Sequence, residues 1–193
     1  MSTKSKKELK DVFNGLSSLL YQSSIVDLSQ STLEIKPEYD LPVTVDTLQI
    51  SQDDPTINHY KVIGLDGDWT SSATLGNMNI KFTVPTKAKE VLVLAYGSDA
   101  VKDITSLKLV TGADETGETY SGVSLNLKKQ KVTGTFVLVD EEGVNLMILT
   151  NVALWAKPLY ENPGTEPFAI QFTGTMEGAG KESIAWLKKT AAA

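Results

Sequence analysis

Val132-Thr133-Gly134-Thr135-Phe136-Val137-Leu138-Val139, then Asp140-Glu141-Glu142-Gly143, then Val144-Asn145-Leu146-Met147-Ile148-Leu149-Thr150-Asn151-Val152-Ala153-Leu154-Trp155-Ala156, is the stretch that decides the fold. Two runs rich in β-branched and aliphatic residues flank a short charged turn ending in glycine, so Lys131–Val139 and Val144–Ala156 read as a hairpin. In the second run Val144, Leu146, Ile148, Val152 and Leu154 form one apolar row. The opposite row holds Met147, Leu149, Ala153 and Trp155, interrupted by Asn145 and Asn151. A sheet with one wet face alternates more cleanly, so this pattern calls for a cover on the second face, either the chain's own helix or second sheet, or an adjacent subunit.

Other strands flank this hairpin. Met78, Ile80, Phe82 and Val84 alternate with Asn79, Lys81 and Thr83, which predicts a strand with one buried face. Val123, Leu125 and Leu127, and Phe168, Ile170, Phe172 and Met176, alternate in the same way. One segment breaks the period. After Pro85, with Thr86 as a candidate N-cap, Ala88, Val91, Leu92 and Ala95 recur at helical spacing and Gly97 can close the turn, so Lys87–Tyr96 reads as a short helix. Ser51–His59, Gly64–Asn77, Thr111–Gly122 and Lys157–Pro167 are rich in Gly, Pro, Asp and Ser and read as long loops, a length that points to contacts with something else. The triplets Thr133-Gly134-Thr135 and Thr173-Gly174-Thr175 echo one another, and glycine inside a strand marks a bend or bulge.

Toward the N-terminus, Ser5 and Glu8 stand at capping-box spacing ahead of Leu9, Val12, Phe13, Leu16, Leu19 and Leu20, which predicts an amphipathic helix over Ser5–Leu20. Its stripe packs on the chain's own core or docks on a neighbouring subunit. A serine-rich stretch and Pro37 and Pro42 follow, so the expected organisation is an N-terminal helical arm over 1–39 and a β domain over 40–193.

Composition narrows the chemistry. The chain has 193 residues, 41% hydrophobic and 22% charged, which suits a folded protein with a sizeable core. All 18 basic residues are lysines, and 24 acids leave a net charge of -6. Sequence-reading nucleic-acid binders use the arginine fork that lysine cannot copy, so that class is disfavoured. The absence of cysteine removes disulfides, thiolate nucleophiles and Cys-based metal sites, and a single histidine, His59, leaves little for a metal centre or a Ser-His-Asp triad. The N-terminal segment lacks a signal-peptide h-region, and no run approaches the roughly 20 apolar residues of a membrane span.

The motifs that remain are weak. Gly174 to Glu182 fails the phosphate-loop spacing at Thr175 and at Glu182. Asp66-Gly67-Asp68 lacks the alternating donors of a calcium loop and reads as a turn, and Asp53-Asp54-Pro55 reads as a cap or turn rather than a glycosidase pair. The expectation is therefore no catalytic residue, no metal and no cofactor. Trp69, Trp155 and Trp186 are the aromatics that a carbohydrate-binding or adhesin-like sandwich would use as platforms, and Trp69 stands in a loop.

The run Asn58-His59-Tyr60-Lys61-Val62-Ile63-Gly64-Leu65-Asp66-Gly67-Asp68-Trp69-Thr70, followed by the strand Asn79–Val84, the helix Lys87–Tyr96 and the closing Phe172-Thr173-Gly174-Thr175-Met176-Glu177-Gly178, resembles the major tail tube proteins of tailed bacteriophages. The resemblance spans roughly residues 40–190 and rests on overall pattern. It implies a mainly β fold, a barrel or sandwich flanked by one short helix, in hexameric rings stacked into a tube around an axial DNA channel. The partners it implies are further copies of the chain, other tail or virion proteins, and DNA as passing cargo; the place is the virion tail, after synthesis in the host cytoplasm, with no membrane. The Ser5–Leu20 helix is not a standard part of that pattern. On this reading Leu9, Val12, Phe13, Leu16, Trp69, Met147, Leu149 and Trp155 are candidate inter-subunit contacts, and Asn145, Asn151, Gln171 and Thr173 are candidate lumen-facing residues.

Overall fold

The computed structural model describes residues 12–44, 46–110, 117–178 and 182–190. In chain order these form β1 (Ser18–Gln22), β2 (Tyr39–Leu41), β3 (Gln49–Gln52), β4 (Thr56–Tyr60), β5 (Thr70–Thr74) and β6 (Met78–Val84). Helix α1 (Lys89–Tyr96) follows, then β7 (Val101–Leu109), β8 (Glu118–Leu125), β9 (Val132–Val139), β10 (Asn145–Leu159), β11 (Ala169–Met176) and β12 (Ile184–Lys188). The protein is mainly β, with several sheets and one short helix among the described residues. Two compact units divide the chain: Met1–Val43 with Thr133–Val152 and Met176–Ala193, and Thr44–Val132 with Ala153–Thr175.

In the first unit the strand order is β2-β1-β9-β10, with β12 also on β10. The β9–β10 connection is the charged turn expected from sequence: Gly143 takes φ 67 and its N–H donates to the Asp140 carbonyl at 3.1 Å. The buried Asp140 carboxylate accepts from the backbone N–H of Val144 (2.8 Å) and Asn145 (3.0 Å) and from the Asn145 amide (2.6 Å). These donors hold its carboxyl below the ordinary value, the Asn145 backbone bond foremost.

Register explains the mixed apolar pattern of this unit. Leu19 pairs with Leu138 and Leu41, and Tyr21 with Phe136 and Tyr39, so these side chains share one face, which is buried at Leu19, Tyr21, Leu41, Phe136 and Leu138. On the opposite face Thr135 and Thr150 are also buried, with hydroxyls 3.4 Å apart. Segment 24–27 lies over them: Thr135 Oγ1 donates to the Ser24 carbonyl and accepts the Val26 N–H, while Thr150 Oγ1 donates to the Val26 carbonyl at 2.7 Å. The cover on the second face there is the chain's own extended segment.

Ser18–Leu20, the end of the expected N-terminal helix, forms part of β1, and residues 12–17 are irregular. Leu16, Leu19 and Leu20 satisfy a helical spacing, but pairing on both sides, with β9 and β2, fixes this segment as a strand. Ser5 to Asp11 lie outside the described residues.

In the second unit the order β10-β11-β6-β3 carries one apolar face. Ile170 pairs with Val84, Phe172 with Phe82 and Gly174 with Ile80, which pairs in turn with Ile50. The Phe82 and Phe172 rings stack at 5.1 Å and 19°, both fully buried. Of the polar row on β6, Lys81 is exposed and Asn79 half-buried, whereas Thr83, expected to face outward, is buried, its backbone N–H donating to Thr47 Oγ1. Both units end in open strands, so the strands close no barrel among the described residues.

Helix α1 buries Val91, Leu92, Ala95 and Tyr96, and Gly97 ends it at φ 91 with its N–H on the Val93 carbonyl. The N-cap falls at Ala88, without a side-chain cap bond, rather than at Thr86, whose Oγ1 accepts the Ala88 N–H at 3.0 Å ahead of the helix. Gly174 marks a close approach within the sheet rather than a bend: an added Cβ would overlap the Ala153 carbonyl oxygen and stand 2.8 Å from the Leu154 Cα. Gly134 is similar, with a Cβ falling 2.7 Å from the Tyr21 ring.

Candidate functional site

Three stretches read as loops contain strands. β4 begins within Ser51–His59 and ends at Tyr60, β5 lies within Gly64–Asn77, and β8 begins within Thr111–Gly122. β4 and β5 form a separate two-stranded sheet, with Thr56 opposite Thr74, His59 opposite Ser71 and Tyr60 opposite Thr70. Every residue of both strands is exposed. Neither face carries an apolar row, which is why no alternation betrayed them.

The hairpin tip, Lys61–Trp69, is ordered by short-range bonds. Trp69 N–H donates to the Tyr60 carbonyl at 2.7 Å, Gly64 (φ 90) and Gly67 (φ 125) supply left-handed turns, and His59 Nδ1 contacts the Asp68 carboxylate. The tip holds its apolar side chains in solvent: Ile63 is wholly exposed, Trp69 is 65% exposed, and Val62 and Leu65 are exposed as well. Ile57 and Leu75 extend the apolar surface along the hairpin. Isolated two-stranded hairpins are marginal in water, and clustered exposed apolar side chains mark interaction sites.

A second hairpin, β7–β8, pairs Val101 with Leu125 through Leu109 with Glu118, with an irregularity between Ile104 and Leu107. Leu107, Leu109 and Tyr120 are exposed on it, while Val123 and Leu125 are half-buried. At its base the Lys89 ammonium pairs with both Asp103 carboxylate oxygens at 2.7 Å. Leu127, read with Val123 and Leu125 as one strand, falls beyond the strand end and is exposed.

The residues singled out from sequence scatter. Leu9 lies outside the described residues. Val12 is exposed, Leu16 is half-buried, and Phe13 lines a small cleft with Leu146, Trp186 and Leu187. Met147 is half-buried opposite Trp186 of β12. Leu149, expected at a contact, is instead fully buried in its own unit, on a stretch of β10 where Ile148 and Thr150 of the other face are buried as well. Trp155 is partly exposed, and Trp69 stands at the hairpin tip.

The four polar candidates divide in the same way. The Asn145 amide is committed to Asp140. Asn151 adopts φ 54, and its side chain donates to the Glu177 carbonyl at 2.6 Å while its own carbonyl accepts the Glu177 N–H, so it serves a bend in β10. Gln171 and Thr173 share the outward face of β11, where Thr173 stands opposite Lys81. Sequence reasoning missed Ile57, Ile63 and Leu75; their only signal was large apolar residues set among Gly, Asp and Ser.

The first unit also holds a cleft of about 320 Å³ lined by Ile25, Val26, Asp27, Thr150, Asn151, Glu177 and Ser183, among others. Among the described residues no three His, Asp or Glu side chains gather as a metal-binding group, and no helix is long and apolar enough to cross a membrane. No family model matches the sequence, and no curated protein matches it.

Proposed function

We propose that this chain is a virion structural protein of the tail tube kind, which assembles with copies of itself into stacked rings, hexameric on the resemblance, around a channel for DNA. The observation that carries the reading is the β4–β5 hairpin, a two-stranded sheet exposed on every residue and tipped with Val62, Ile63, Leu65 and Trp69. Such an element gains its stability from a neighbour. A surface that passes DNA without holding it suits a protein with no arginine and a net charge of -6, since each cation on a phosphate adds binding that transit must break. The role assigns no catalysis and no cofactor to the chain. Its partners are other copies, further tail proteins and DNA in passage, and its place is the virion.

Size-exclusion chromatography with light scattering, run across a concentration series, tests this. The expected result is growth from monomer to ring-sized species, and a chain that stays monomeric throughout contradicts it. A second reading, a carbohydrate-binding or adhesin-like module, draws on the exposure of Trp69 and Trp186, each 65% exposed. It predicts a monomer whose glycan binding disappears in Trp69→Ala or Trp186→Ala.

A further inference from the structure

The tip of the β4–β5 hairpin is apolar and carries Asp66 and Asp68 alongside Lys61. The connection from β8 to β9 contains the opposite charge: Lys128, Lys129 and Lys131 follow Leu127, which is 64% exposed. Both surfaces lie in the same unit, yet Ile63, Trp69 and Leu127 all remain in solvent, so neither surface is covered in cis. Each copy therefore presents an apolar knob that carries acids and an exposed apolar residue followed by lysines. With a net charge of -6, two copies repel overall unless opposed patches of this kind meet. Complementary charge on two different patches selects a heterologous contact, in which the tip of one copy meets the connection of the next, over a two-fold contact of like with like.

We propose that the Val62–Trp69 tip of one copy docks on the Leu127–Lys131 connection of a second copy, with Ile63 and Trp69 covering Leu127, and Asp66 facing Lys128 and Lys129. Asp68 is already engaged by His59, and Lys131 has partners within its own chain, so the free charges of the contact are Asp66, Lys128 and Lys129. This contact rests on the self-assembly reading above and adds its direction: head to tail, with a ring or an open filament as the geometric consequences.

The test uses the full-length protein in sedimentation velocity. Asp66→Lys and the double variant Lys128→Glu/Lys129→Glu change exposed side chains that make no hydrogen bond or ion pair among the described residues, so both remain folded by circular dichroism. Each is expected to move the assembly midpoint to about five- to tenfold higher concentration, and the triple variant to recover most of that loss. Raising salt from about 0.05 M to about 0.5 M weakens the wild-type contact, and weakens it less in an Asp66→Asn control, which lacks the charge pair. Mixing the two charge variants restores one tip-to-connection pair, so heterodimers form where neither variant alone self-associates. If wild type assembles and the charge variants assemble at the same midpoint, the docking proposal is wrong while the assembly reading stands. If wild type never assembles, both fail.

Discussion

Replacing Gly174 by alanine adds a single methyl group at the tightest point of the second unit. That Cβ would overlap the Ala153 carbonyl oxygen and stand 2.8 Å from the Ala153 carbonyl carbon and the Leu154 Cα, all backbone atoms that no rotamer change can move. To admit it, β11 must shift relative to β10, or relative to β6, where Gly174 faces Ile80 and neighbours the Phe82–Phe172 stack. Overpacking of a core costs about 1–3 kcal/mol, and the rigidity of the clashing atoms puts this substitution at the upper end. For a chain of this length about 2–3 kcal/mol lowers the melting temperature by about 5–10 °C. Gly122→Ala is the matched control: it lies in exposed β8 with nothing within 4 Å of the added Cβ, so it is neutral or stabilises by up to about 0.5 kcal/mol. Urea unfolding followed by tryptophan fluorescence measures both variants. Equal midpoints for Gly174→Ala and wild type would show that the β10–β11 approach is looser than described, and the close-packing argument would fall.

Tyr96 is buried at the end of α1 with a hydroxyl that has no hydrogen-bond partner, so Tyr96→Phe is expected to fall within about 1 kcal/mol of wild type or above it in the same assay. Asp140→Asn removes the carboxylate that gathers the β9–β10 turn and lowers the unfolding midpoint at neutral pH. Because the folded carboxyl sits below its unfolded value, the stability it adds is present above about pH 4 and is lost as pH falls through the lower folded value. The wild-type-to-variant gap should therefore shrink in acid, and a gap constant down to pH 2 would refute the assignment. Tyr21 donates to the Thr133 carbonyl at 2.9 Å, and burial pushes its hydroxyl up to about 12, so its contribution holds below about pH 10 and is lost as pH rises through 12. Tyr96, by burial, and Tyr120, by its hydrogen bond to Glu118, are also raised, so ultraviolet difference titration should show several tyrosines ionising late, and Tyr21→Phe should remove one tyrosine's share of that late change.

How much of this could be read from residues alone depended on whether a segment has a dry side. β6 and β11 were legible because Ile80, Phe82, Ile170 and Phe172 face one core while Lys81 and Thr173 face solvent. The helix was legible from its spacing and Gly97, and the β9–β10 turn from its acids and Gly143. β4 and β5 were not, because a hairpin exposed on both faces has nothing to alternate. β1 was misread because Leu16, Leu19 and Leu20 fit a helical stripe, and only pairing with Leu138 and Leu41 decides between the two. On β10, burial of both faces hid the difference between Met147, half-buried beside β12, and Leu149, fully in the core. Of the candidate contact residues, Trp69 lies in the exposed hairpin tip, beside apolar neighbours that sequence did not single out.

The central claim, that the chain assembles into hollow rings, is tested most directly by negative-stain electron microscopy of the purified full-length protein, imaged over a concentration series beside an Ile63→Ser/Trp69→Ser variant. The account predicts rings or tubes with an axial opening for wild type, and isolated particles for the variant at the same concentration. Wild-type fields that contain only isolated particles at every concentration, or rings unchanged in the variant, would contradict it.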